Sequence, residues 1–167
     1  MTERPAHRSD SRVQRDAEAV ILELACQALG VPELRPGRYV LADGVQVQVD
    51  GVSPDRTVHT EAYARQGPLR GAQLKKISQD VLKLSLIRRT DPRPELRTVI
   101  VLASQEADRS IRGWLRHGAD VLGVDFLGVE LDQHWRSRIT AAQTTQLMVN
   151  VPAELVDDLL DDPVQEP

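Results

Sequence analysis

Residues 98–103, Thr-Val-Ile-Val-Leu-Ala, form an unbroken apolar run. A strand covered on one face alternates apolar and polar residues, whereas one covered on both does not. The run therefore predicts a central strand with helices on each side of its sheet. Ser104 or Gln105 is placed to open a helix over roughly 106–122, and Val124–Leu131 reads as a second strand. The segment 98–131 is then a β-α-β unit with parallel strands, and the chain belongs to the α/β class.

The preceding residues extend that pattern. Val13, Ala17, Val20, Ile21, Leu24 and Ala28 recur at helical spacing. Ser11 is a suitable N-cap for that helix, and Gly30 with Pro32 stops it. Residues 1–12 are polar and without period, so they read as a flexible arm. A short strand is expected at 38–42. Residues 45–49 alternate strictly, Asp50 ends them, Ser53-Pro54-Asp55 turns, and Thr57–Ala64 returns, so 45–64 reads as a hairpin. Gly67-Pro68 breaks the strand. The helix expected over 69–89 carries Leu74, Ile77, Val81 and Leu84 on one face. Beyond a domain spanning 13–134, residues 135–167 form a helical, acidic tail. It comprises a helix over 135–148 and a short one at Ala153–Leu160, flanked by Asp157, Asp158, Asp161 and Asp162.

Composition narrows the function classes. The chain has 167 residues, a formal charge of −4 and 41% hydrophobic residues, which is one ordinary core and not a coat-all binder of nucleic acid. No apolar run approaches the roughly 20 residues of a membrane span, and residues 1–12 lack the apolar segment of a secretory signal. A soluble cytoplasmic protein is expected. Cys26 is the single cysteine, which excludes an intrachain disulfide and a cysteine zinc site. His59, His117 and His134 show no metal spacing and read as surface or edge residues. No P-loop, dinucleotide fingerprint or nucleophile elbow is present. Arginine outnumbers lysine 18 to 3, yet Lys75, Lys76 and Lys83 lie within nine residues. Where arginine is the default cation, such a cluster selects a compact ammonium.

Three acids stand at meaningful places. Glu18 lies in the first helix beside its apolar stripe, with Glu23 competing for the same role. Asp50 ends one hairpin arm, and Glu61 interrupts an apolar and aromatic run on the other. Neighbouring antiparallel arms present side chains to one spot. Two carboxylates and a main-chain carbonyl there suit Mg²⁺ or Mn²⁺. On the helix that follows, stepping about 100° per residue from Gln73 puts Lys76, Asp80 and Lys83 at about −60°, −20° and −80°, all on one flank. Lys75 points about 100° away from Lys76, and Lys83, two turns further on, reads as too remote to act at the hairpin.

This order of features resembles the PD-(D/E)XK nuclease superfamily over residues 13–131. The resemblance implies a restriction-endonuclease-like core, a mixed central sheet flanked by helices. It implies Asp50 and Glu61 as ligands of Mg²⁺ or Mn²⁺, and Glu18 as the helical acid. In that family a lysine two residues after the glutamate helps activate water; here Tyr63 occupies that position. Some members carry the lysine on the next helix, where Lys76 and Lys75 stand, and Gln73 resembles the helix glutamine of several subfamilies. The implied activity is that of a metal-dependent DNA endonuclease hydrolysing phosphodiester bonds, acting in restriction, repair or defence against mobile DNA. Its catalytic residues would be Glu18, Asp50, Glu61 and Lys76. Arg65, Gln73, Lys75 and Lys83 would face nucleic acid, and Arg88, Arg89, Arg93 and Arg97 a DNA path. A chain this short would act on both strands as a homodimer or with a partner. Two other readings stay open: a catalytically inactive nuclease-like module that binds nucleic acid or a partner protein, and an interaction module docking through the acidic tail.

Overall fold

The computed structural model describes residues 6–150. Five strands form one mixed sheet in the spatial order β1 (Arg35–Val40), β2 (Gln46–Val52), β3 (Val58–Tyr63), β4 (Arg97–Leu102) and β5 (Val124–Gly128). β1, β2 and β3 are antiparallel neighbours, while β3, β4 and β5 run parallel. Helices α1 (Ala6–Leu29) and α5 (Gln133–Asn150) cover one face. Helices α2 (Ala72–Thr90), α3 (Gln105–Ser110) and α4 (Gly113–Leu122) cover the other. The apolar run is the central strand β4. Val99 and Val101 enter the α1–α5 layer, and Ile100 and Leu102 enter the α2–α4 layer. All four are at most 1% exposed, so burial on both faces explains the missing alternation.

Several boundaries differ from expectation. α1 begins at Ala6, so residues 6–12 of the expected arm are helical. The single helix expected over 106–122 is two. Ser104 caps α3 by accepting from the Ala107 N–H at 3.0 Å. The chain then leaves the helix at Ile111 and re-enters after Gly113, whose φ of 61° is the left-handed region that favours glycine. Ser110 accepts from the Leu69 N–H at 2.9 Å and donates to Ala107, tying the break to the loop before α2. β5 stops at Gly128, whose carbonyl accepts from Gln105 Nε2 at 2.7 Å. The short helix expected at Ala153–Leu160, and with it the docking role of the acidic tail, lies outside the described residues.

His59 is not a surface or edge residue. It is fully buried in β3, with its ring edge-to-face on Tyr39 at 5.4 Å. Strand alternation sends it toward the α2 layer beneath β1. Neither ring nitrogen has a hydrogen-bond partner among the described residues, and burial pushes its pKa down to about 4. His117 and His134 are exposed. No described helix is long and apolar enough to cross a membrane.

Candidate active site

β2 and β3 pair at Gly51–Thr60 and Val52–His59. Continuing that register sets Asp50 opposite Glu61, where the strands part. In place of a ladder bond, Asp50 Oδ2 accepts from the Ala62 N–H at 2.9 Å. On its other edge β2 pairs Arg35 with Val52 and Gly37 with Val49, so it holds one residue more than β1 across Asp50–Gly51. This is a β-bulge, which bends a strand and re-aims a side chain. Glycine follows the aspartate because neighbouring side chains fill the space a Cβ would need. A Cβ on Gly51 would lie 3.1 Å from Leu22 and from Leu34, and would collide with Thr60 Oγ1.

Glu61 points to the opposite helix layer and is 4% exposed. Lys83 Nζ stands 2.7 Å from its Oε1 as an ion pair, but off the direction of a hydrogen bond, so this buried oxygen has no aligned donor. Burial pushes the Glu61 carboxyl up to about 8; Lys83 opposes this, and the charges of Asp50 and Asp80 add to it. Asp80, also 4% exposed, lies between the two lysines, 2.6 Å from Lys76 Nζ and 3.7 Å from Lys83 Nζ. Burial works against the Lys76 ammonium, but the hydrogen bond and charge of Asp80, with Glu61 and Asp50, hold its pKa above the ordinary lysine value. From the other face of the sheet, Glu18 is half-buried and lines a groove of about 520 Å³ between α1 and the β1–β2 ribbon, together with Asp50 and Glu23. Burial first, then the Asp50 charge, raise the Glu18 carboxyl above the usual range, while Gln14, Arg15 and Lys76 oppose them. Asp50, at the split between β2 and β3, therefore lies within electrostatic reach of Glu18, Glu61 and Lys76.

The structure redistributes the other expected residues. Lys83 is not remote: α2 runs along β3, so its later turn faces Glu61 while its earlier turn faces the open end of the split. Lys75 faces away, into a groove between α2 and α4. Gln73 folds back, its Oε1 accepting from the Arg70 N–H at 2.9 Å, and so serves the start of α2. Arg65 lies beside Tyr63 in a small cavity with Val13 and Gln143. The expected arginine path is largely committed to the fold. Arg88 donates to the Leu96 carbonyl, Arg97 to that of Leu29, and Arg93 to Asp91 and to the carbonyls of Asp55 and Arg56. Asp80 was not expected as a site residue; its signal is the spacing that puts it on the flank shared by Lys76 and Lys83.

Among the described residues, no group of three or more His, Cys, Asp or Glu side chains converges as a metal-ligand set. What converges is a mixed cluster of buried carboxylates held beside two ammonium groups. No family model, curated protein or solved structure matches the chain.

Proposed function

We propose that the protein is a metal-dependent nuclease of the restriction-endonuclease-like kind, hydrolysing phosphodiester bonds of DNA at the β2–β3 split. One observation carries this reading: where two neighbouring strands separate, a bulged aspartate stands across from a buried glutamate, and the next helix brings one lysine to that glutamate and a second to the Asp80 carboxylate beside it. The order of α1, three antiparallel-linked strands, α2 and β4 supports the same reading of the core.

The donor set fits Mg²⁺ or Mn²⁺. These ions take hard oxygen ligands, and Mg²⁺ commonly uses one or two carboxylates and keeps several waters, so a third protein ligand is not required. Glu61 offers a buried oxygen without an aligned donor, in surroundings that already hold Asp50 and Asp80. Asp50 and Glu61 would hold the ion, which when bound supplies a Lewis acid and a more acidic water. Lys76 is half-exposed and stays protonated, so its part is to offset phosphate charge rather than to take a proton from water. Lys83 is the cation that balances Glu61 once that carboxyl ionises. Glu18 overlooks the same split from α1.

The test is incubation of the purified chain with single-stranded, linear duplex and supercoiled DNA in Mg²⁺ or Mn²⁺. Cleavage that is lost in Asp50→Ala and Glu61→Gln supports the proposal. Cleavage of no DNA form with either ion, or cleavage surviving both substitutions, overturns it. The inactive nuclease-like reading has one observation in its favour: Tyr63 places a neutral phenol where the family carries its lysine, and burial raises that phenol's pKa further. DNA binding without cleavage in the same experiment would favour it.

A further inference from the structure

On the far side of α2 from the carboxylates lies a second groove of about 680 Å³, walled by α2 and α4. Its lining includes Lys75 and Gln79 from α2, and Ser110, Arg112 and Trp114 from the α3–α4 segment. Among the described residues no carboxylate lines it, although the chain as a whole carries −4, and the groove beside α1 holds Glu18, Glu23, Glu33 and Asp50. Trp114 is 78% exposed, the most exposed large apolar side chain among the described residues. Neither Lys75 nor Arg112 forms an ion pair there with any described residue. Trp114 offers an indole face open to water, and two cations outside any described ion pair favour an anionic ligand, Arg112 also giving its Nε–H to the Arg109 carbonyl at 2.8 Å.

We infer that this groove binds a single strand of nucleic acid, one base stacking on Trp114 while the flanking phosphates lie against Lys75 and Arg112. Charge decides for this occupant: two cations outside any described ion pair, with no described acid beside them, match a phosphate backbone, and the largely apolar lining that includes Leu74 and Leu115 tolerates any base. A single strand is required because a duplex keeps its base faces stacked inside. Stacking on an exposed aromatic ring beside backbone-tracking cations is the common physical basis of sequence-tolerant strand binding. The inference does not rest on cleavage, because the groove and the carboxylate cluster occupy different sides of α2.

The test is titration of the full chain with oligo-dT in EDTA, followed by tryptophan emission. Trp114 and Trp135 are the only tryptophans, and Trp135 sits in the α1–α5 layer with Arg138 over its ring, so quenching reports on Trp114. Trp114→Ala, at an exposed position, should weaken binding by about 5- to 150-fold and abolish the quenching. Lys75→Ala and Arg112→Ala should each lower the slope of log affinity against log salt by about 0.7. Absence of binding, or binding and salt slope unchanged in all three variants, overturns the inference. So does a wild-type dimer that Trp114→Ala makes monomeric and that excludes oligo-dT, because a second copy then covers the groove. A chain that quenches as expected but never cuts DNA refutes only the nuclease proposal; one that cuts but shows no Trp114-dependent binding refutes only this one.

Discussion

Replacing Glu61 by glutamine should remove a pH dependence of stability that the wild type carries. Burial raises the Glu61 carboxyl from 4.5 to about 8, so the folded chain holds a proton that the unfolded chain has released. That contribution is fully present below 4.5 and is lost as the pH climbs through about 8. At 1.36 kcal/mol for each pH unit between the two values, the whole interval amounts to about 5 kcal/mol. His59 acts in the opposite sense. Its pKa is pushed from 6.5 down to about 4, so its contribution is complete above 6.5 and is lost as the pH falls toward 4. Between 6.5 and 8 only Glu61 of the pair titrates, and stability should fall by about 2 kcal/mol across that window. Glutamine keeps the shape and can accept from Lys83, but it carries no charge. Urea denaturation in EDTA at several pH values in this window should show the slope in wild type and none in Glu61→Gln. Excess Mg²⁺ should flatten the wild-type slope by holding the carboxylate ionised. A flat wild-type profile, or an equal slope in the variant, would refute the argument that burial governs this carboxyl.

Four further expectations follow from the same geometry. Lys76→Ala should lower DNA cleavage by about 10²-fold or more, and Lys75→Ala should leave the cleavage rate per bound DNA unchanged; single-turnover assays separate the two. Lys83→Ala leaves Glu61 buried without its cation, so the loss of stability should continue to a higher pH than in wild type, read by the same denaturation series. Gly51→Ala should destabilise by about 1–3 kcal/mol because the new methyl must displace Thr60, Leu22 or Leu34, seen as a lower urea midpoint at unchanged slope. His59→Phe keeps the aromatic edge on Tyr39 but cannot take up a proton; as the pH falls from 6.5 to 5 the Glu61 gain offsets the His59 loss in wild type, whereas the variant should gain about 2 kcal/mol, and the same profile in both would count against it.

The sheet was legible from residue pattern because burial writes itself into period. The unbroken run at 98–103 marked a strand covered twice, and the alternation at 45–49 marked one covered once. The break inside 106–122 was not legible, because it is fixed by a tertiary contact, Leu69 to Ser110, from 41 residues away. His59 misled for a related reason. A lone histidine reads as polar, and the Tyr39 ring that β1 packs edge-to-face against it is a contact between distant residues that no local pattern shows. At the site, Asp50 and Glu61 were visible as acids in odd places. The choice between lysines was not, since helix angle tells which flank a residue occupies but not how the helix axis lies along the sheet. That axis brings Lys83 to Glu61 and leaves Lys76 on Asp80. Asp80 shares the flank of Lys76 and Lys83 in the sequence, but an acid four residues after a lysine is ordinary helix surface chemistry; its burial is what makes it different.

The two-rung pairing between β2 and β3 also has a mechanical meaning. The antiparallel ribbon of β1 and β2 is joined to the parallel half of the sheet along a narrow seam, and β1 presents most of its residues to solvent. Force applied to the ribbon concentrates at that seam rather than spreading through a continuous ladder. Asp50 sits on one lip of it and Glu61 on the other, bridged by a single bond from the Ala62 amide to the aspartate. A change in the ribbon's tilt would therefore alter the gap between the two carboxylates without a contact to either acid.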